Sequence, residues 1–238
     1  MSGNLFITGP SAGIGLGLAQ AWLERGGAVY GISRRRPDLD PARFHWQPAD
    51  LAADIDMEPV LAKLVGDVPL ELAVLNAGVA GDIADLRDTD IPALEAVLQV
   101  NLWGCKRCID ALLALPEPPR RIVAISSGAA ITGHRGWGGY ALSKAALNML
   151  IQLYAAECPD VHFSALAPGL VDTAMQEHLR RTSPERSPVL ARLRQAQGTA
   201  DMPLPAEVAP RLLRAMDLIR AEPSGCFRDL RSMSGLPR

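Results

Sequence analysis

The stretch Thr8-Gly9-Pro10-Ser11-Ala12-Gly13-Ile14-Gly15 constrains this chain more than any other. It follows Asn4–Thr8, an apolar run that reads as a short buried strand. It leads into Gly13–Arg25, where apolar residues recur at helical spacing until Gly26-Gly27 ends the pattern. Glycines let such a turn fold tightly and let a pyrophosphate approach the backbone. The helix start adds unpaired N–H groups and a positive dipole end. Glycines alone mark any tight turn, but between a first strand and a first helix they form a dinucleotide cradle. Gly9, Ser11, Ala12, Gly13, Ile14 and Gly15 are its expected contacts.

The rest of the chain keeps the same rhythm. Strands are expected at Ala28–Ser33, Phe44–Pro48, Leu70–Leu75, Arg121–Ser126, Val161–Leu166 and Gly225–Leu230. Helices are expected at Asp56–Val65, Ile91–Leu115, Ala141–Glu157 and Pro205–Arg220. Strands alternating with helices imply right-handed crossovers and a doubly wound parallel sheet with helices on both faces. With 238 residues, 48% of them apolar, one α/β domain over 1–238 can bury such a sheet. One stretch breaks the rhythm. Residues 172–203 are polar, dotted with proline and rich in arginine (Arg180, Arg181, Arg186, Arg192, Arg194). Such an insertion is expected to be a substrate lid or a mobile loop. Its arginines read first as a solvated face, and second as a surface for an anionic substrate.

The bulk numbers exclude several classes. A net charge of −2 offers no nucleic-acid surface and no polybasic membrane patch. The opening MSGNLFITGP lacks a basic n-region, and its apolar run is only Leu5–Ile7, so no secretory signal is expected. Without a run of about 18 apolar residues no membrane span is expected, and a cytoplasmic location is the default. Cys105 and Cys108 have C-x-x-C spacing. Cys158 and Cys226 form no second pair, and no histidine cluster completes a metal site, so the pair reads as incidental helix-face thiols with no metal.

The end of the second strand reads Gly31-Ile32-Ser33-Arg34-Arg35-Arg36-Pro37-Asp38. In dinucleotide folds this position meets the adenosine ribose, and an acidic residue there would repel a 2′-phosphate. Here Ser33 can donate to a phosphate, and Arg34 and Arg35 can pair with it. NADP(H) is therefore expected over NAD(H). Arg36, just before Pro37, reads as solvated.

Further motifs follow in order: Asp50-Leu51, Asn76-Ala77-Gly78, Asn101, Ser127, Tyr140-x3-Lys144 and Pro168-Gly169-x-Val171-x-Thr173. With the glycine turn, they make the chain resemble a classical short-chain dehydrogenase/reductase over nearly its full length. The resemblance implies a Rossmann-type fold, a nicotinamide cofactor, and hydride transfer between a carbonyl and a secondary alcohol. It implies that Asn101, Ser127, Tyr140 and Lys144 are catalytic. Tyr140 would exchange the proton and Ser127 would bond the substrate oxygen. Lys144 would bond the nicotinamide ribose, and Asn101 would hold a water linking Lys144 to solvent. It implies adenine contacts from Asp50 and Leu51, and adenosine contacts from Asn76, Ala77 and Gly78. Pro168, Gly169, Val171 and Thr173 would surround the carboxamide.

Physical chemistry supports the central pair. Tyr140 and Lys144 share one helix face. A phenol of ordinary pKa near 10 is a weak base at neutral pH, and a nearby ammonium favours its phenolate. Ser126 is the alternative to Ser127, and a structural helix role is the alternative for Asn101.

Substrate contacts are expected from His134 and Trp137, just before Tyr140, from 79–87, and from the lid. Trp137 reads as a pocket or packing residue. The ending Ser224-Gly225-Cys-Phe-Arg-Asp-Leu-Arg is similar to C-factor-like members of the family, without their usual aromatic end. It departs from the strand that packs the family's common tetramer, so a homodimer or a monomer is expected. The leading function is an NADP(H)-dependent oxidoreductase acting on a small carbonyl or alcohol. A signalling or scaffold protein that binds a dinucleotide is the alternative, and the intact catalytic set argues against it. An enoyl reductase is disfavoured, since that group spaces its Tyr and Lys more widely.

Overall fold

Seven strands form one parallel sheet in the order β3-β2-β1-β4-β5-β6-β7. The computed structural model describes residues 3–181 and 187–236. The strands are β1 Asn4–Thr8, β2 Ala28–Ser33, β3 Phe44–Pro48, β4 Leu70–Leu75, β5 Arg121–Ile125, β6 His162–Ala167 and β7 Cys226–Asp229. Each expected strand is present, with ends shifted by no more than a residue. β1 and β4 are near-continuous apolar runs, as strands covered on both faces should be.

The helices are α1 Gly13–Glu24, α2 Glu58–Val65, α3 Ile91–Leu98, α4 Gly104–Leu113, α5 Gly138–Glu157, α6 Ala174–Arg181, α7 Pro188–Ala196 and α8 Pro205–Ile219. On one face Leu18 and Trp22 of α1 and Leu212, Leu213 and Met216 of α8 cover Leu5, Ile7, Val74 and Val123. On the other face Leu61 of α2, Ile109 and Leu112 of α4, and Leu147 and Ile151 of α5 cover Phe6, Ala73, Ile122 and Phe163. Two cores on two faces are what a doubly wound sheet requires.

The long helix expected at Ile91–Leu115 is not continuous. Asp90 caps its start, its carboxylate accepting from Ala93 N at 2.8 Å. After Leu98 a π-helical turn, Gln99–Trp103, interrupts it before α4. Such a turn inserts an extra residue and re-aims the side chains within it. Here it carries Asn101, which is fully buried. Helical periodicity on either side hides this insertion.

The insertion 172–203 is closed at its base, where Asp172 N donates to Pro203 O at 2.9 Å. Within it lie α6 and α7. Leu190, Leu193 and Met202 pack with Ala80, Ile83 and Trp137 as a third apolar cluster. Trp137 Nε1 donates to Ser187 Oγ at 3.2 Å, and Ser187 is fully buried. Arg186 lies outside the described residues, as do the side chains of Arg180 and Arg181.

Candidate active site

The glycine turn is held from below by the end of β4. Asn76 N and Ala77 N donate to Thr8 Oγ1 at 2.9 and 3.0 Å. Asn76 Nδ2 donates to Thr8 O at 3.1 Å and to Gly9 O at 3.4 Å. Gly9 and Gly13 have φ of +71° and +56°, where a side chain is strained. Gly15 is required for another reason: a Cβ there would lie 2.2 Å from Gly9 O. Ala12 gives α1 no side-chain cap, and the first turn of α1 has no acidic residue. The helix start is therefore open to an anion, as the group expected here requires. Beside it lies a cavity of about 610 Å³, bordered by Gly13, Thr173, Glu177 and Pro205 among others.

At the end of β2 the arginine side chains divide from the serine. Arg34, Arg35 and Arg36 are all exposed. Ser33 is buried, and its hydroxyl donates to Arg35 O at 2.7 Å while accepting from Trp46 Nε1 at 3.0 Å. The proton expected for a phosphate is thus committed to shaping the arginine turn. Asp50 is exposed and accepts from Ala52 N at 3.0 Å. Leu51 is buried in the core, and its carbonyl accepts from Arg107 Nη2 at 2.8 Å.

The chemical end gathers at the tips of β5 and β6. Ser127 lies beside Tyr140, and its hydrogen-bonding influence acts to lower the tyrosine pKa. Ser126 turns the other way: it is buried, and its hydroxyl donates to Asn148 Oδ1 at 2.6 Å. Of the two serines, only Ser127 joins the tyrosine. Lys144 is 4% exposed. Its ammonium donates to Ile125 O at 2.8 Å and lies 5.8 Å from the centre of the Tyr140 ring. Gly78 leaves space beside it; a Cβ there would lie 3.6 Å from Lys144 Nζ.

The Asn101 amide is fully engaged. Its Oδ1 accepts from Val79 N, and its Nδ2 donates to Val79 O, both at 2.8 Å. Nδ2 also reaches Ser143 Oγ at 2.9 Å, which in turn donates to Tyr140 O at 2.7 Å. The side chain therefore ties the segment after Gly78 to α5. Ser143 escaped sequence reasoning, although it stands inside the Tyr140-x3-Lys144 spacing.

The electrostatics qualify one expectation. Burial raises the Tyr140 pKa, opposed by the hydrogen bond from Ser127. Burial also lowers the Lys144 pKa. Burial is the largest influence on Tyr140 and favours the neutral phenol. Burial pushes the Cys105 thiol up to about 11 and the Cys108 thiol higher still. Both belong to the core rather than to a helix surface.

Trp137 is buried and meets the Tyr140 ring edge-on, with centroids 5.8 Å apart. His134 is exposed, and its carbonyl accepts from Trp137 N. Arg135 clamps Asp85 with bonds of 2.7 and 2.8 Å, tying this loop to the segment after Gly78. Gly169 has φ +77°, Val171 is buried in the core, and Thr173 packs beside Gly13. Arg231 also reaches the site: a Cβ on Gly128 would lie 3.3 Å from its Nη2. No sequence signal marked it, because its neighbours are far away along the chain.

A family model described as short chain dehydrogenase matches residues 4–184. An uncharacterized oxidoreductase of Schizosaccharomyces pombe is 33% identical over 187 residues, 75% of each chain. A benzil reductase ((S)-benzoin forming) of Bacillus subtilis is 27% identical over 223 residues, 89% of this chain and 92% of that one. Among solved structures, a short chain dehydrogenase/reductase from Saccharomyces cerevisiae superposes with a TM-score of 0.85 at 25% identity, covering 98% of this chain and 99% of that one.

Proposed function

The chain belongs to the short-chain dehydrogenase family, and from that premise we propose that it is an NADP(H)-dependent reductase converting a ketone to a secondary alcohol. The observation that carries this reading is the pairing of Ser127 beside Tyr140, with the Lys144 ammonium 5.8 Å from the centre of the phenol ring. When bound, the reduced nicotinamide supplies a hydride to the carbonyl carbon. The carbonyl oxygen enters between the two hydroxyls and accepts a bond from each. Tyr140 gives it a proton as it becomes an alkoxide, and Ser127 stabilises the charge that develops. A phenol kept neutral by burial is ready to act as this acid. The Lys144 charge stabilises the phenolate left behind, which then recovers a proton from solvent. Asn101 positions α5 through Ser143, so its part is structural.

The glycine turn holds the pyrophosphate, and Asp50 takes the adenine amino group. Arg34 and Arg35 select NADP(H) by pairing with a 2′-phosphate. Both are exposed, and no described residue pairs with either guanidinium. Residues 172–203 act as the lid, seated on Trp137. An exposed apolar stripe on α5, Leu142, Met149 and Leu153, supports a homodimer.

The Bacillus subtilis relative is named for benzil, a diketone with oxygens on adjacent carbons. A ketone of that class is the substrate we assign. The test is NADPH oxidation with benzil by wild type and by Tyr140→Phe. The variant should bind NADPH normally and lose turnover by about 10²–10⁴-fold. Full activity in the variant, or none in the wild type, would overturn the reading.

A further inference from the structure

Two glycines at the chemical end open a slot, and a residue from the far C-terminus fills it. Gly128 directly follows Ser127. Gly169, at φ +77°, follows Pro168 beyond β6. A Cβ on Gly169 would lie 3.3 and 3.4 Å from Arg231 Cγ and Cδ, so the arginine stem runs along that backbone. The guanidinium then arrives beside Gly128, one residue from the hydroxyl pair.

Its orientation is fixed. Arg231 Nε and Nη2 donate to the two oxygens of Asp229 at 2.9 and 2.6 Å. Asp229 Oδ1 also accepts from Arg231 N at 3.0 Å, and Ser232 Oγ donates to Asp229 O at 2.9 Å. The turn, the carboxylate and the guanidinium therefore hold one another. Asp229 takes one N–H from Nε and one from Nη2, which leaves the second N–H of Nη2, beside Gly128, and both N–H groups of Nη1 without a partner among the described residues. The side chain is 58% exposed, against 16% for Asp229, so the arginine is the partner that faces outward.

We propose that Arg231 is a specificity-determining residue, whose free guanidinium edge donates to a second, uncharged oxygen adjacent to the carbonyl being reduced. This rests on the reading of Ser127 and Tyr140 as the reacting centre. Position gives the reach: Nη2 lies beside Gly128, the residue after the serine that grips the first oxygen. Charge gives the class. Asp229 offsets the arginine's positive charge and repels an anion, so the pair suits a carbonyl or hydroxyl oxygen better than a carboxylate. An α-diketone or α-hydroxyketone meets both conditions.

The experiment compares benzil with deoxybenzoin, which has the same skeleton with a CH₂ in place of one carbonyl. In Arg231→Met the ratio of their kcat/KM values should fall about 10-fold or more, chiefly through KM for benzil. Arg231→Lys should recover part of it. Arg228→Met, at an arginine paired with Glu222, should leave the ratio alone. Asp229→Asn should shift preference toward phenylglyoxylate, in which the second group is a carboxylate. An unmoved ratio in Arg231→Met, with turnover still dependent on Tyr140, overturns this inference alone. An unmoved preference in Asp229→Asn overturns its choice of an uncharged oxygen. Failure of the wild type on both ketones overturns the reductase reading, and this inference with it.

Discussion

Asn101 clamps both main-chain groups of Val79 at 2.8 Å, as one strand of a ladder pairs with another. Removing the amide leaves a buried N–H and C=O of Val79 unpaired and breaks the link to Ser143. Asn101→Ala should cost about 1–3 kcal/mol of stability, measured as a lowered urea midpoint. Turnover should fall too, because α5 loses a tether at Tyr140. A midpoint equal to wild type would mean the clamp is dispensable.

Glycine substitutions should separate sharply by position. In Gly15→Ala the new Cβ meets Gly9 O at 2.2 Å and Asn76 Nδ2 at 2.5 Å, so the turn must move. Overpacking of this kind costs about 1–3 kcal/mol, and cofactor affinity should fall with it. Gly133→Ala meets nothing within 4 Å and should change stability by under about 0.5 kcal/mol. Thermal melts and cofactor titrations of the two variants check the contrast.

Cofactor choice is expected to rest on the exposed arginines. Arg34→Ala should weaken NADPH binding by about 1.5–3 kcal/mol, the range for a charged hydrogen bond. NADH binding should hardly change. Calorimetry with both dinucleotides decides, and equal weakening of the two would refute the assignment.

Three tyrosines serve as a pH probe. Burial raises the pKa of Tyr30, Tyr140 and Tyr154 alike, and hydrogen bonding to Asp110 adds to it at Tyr154. The chain has no other tyrosine. Near-ultraviolet phenolate absorbance of the folded protein at about pH 10 should therefore fall well below half of full ionisation. The sign for stability follows. A folded pKa above the unfolded one favours the folded state fully below about pH 10. That contribution disappears as pH rises through the folded values. Free-tyrosine behaviour in the native protein would contradict this.

The sheet and its cofactor turn were legible because they rest on local signals: apolar runs, glycine positions and helix periods. The ends of the 172–203 insertion were legible as a break in rhythm, and Asp172 and Pro203 meet at its base. The π-helical turn at Asn101 was not, since its cause is a pairing with Val79, 22 residues away. Ser33 illustrates the same limit: its partner Trp46 lies on the next strand. For Tyr140 the residue types point to a lowered pKa, while burial, which no local pattern reports, reverses the direction. Arg231 was out of reach for the same reason, as Gly128 and Gly169 become its neighbours only once β5, β6 and β7 are side by side.

The strand order has one more consequence. β1 stands between β2 and β4, so the chain runs outward to β3 and then crosses back to build the other half. The 2′-phosphate selection proposed for Arg34 and Arg35 and the oxygen recognition proposed for Ser127, Tyr140 and Arg231 thus fall on opposite sides of the β1–β4 seam. On those two proposals, a change of electron donor and a change of reduced molecule become separate engineering problems in this scaffold.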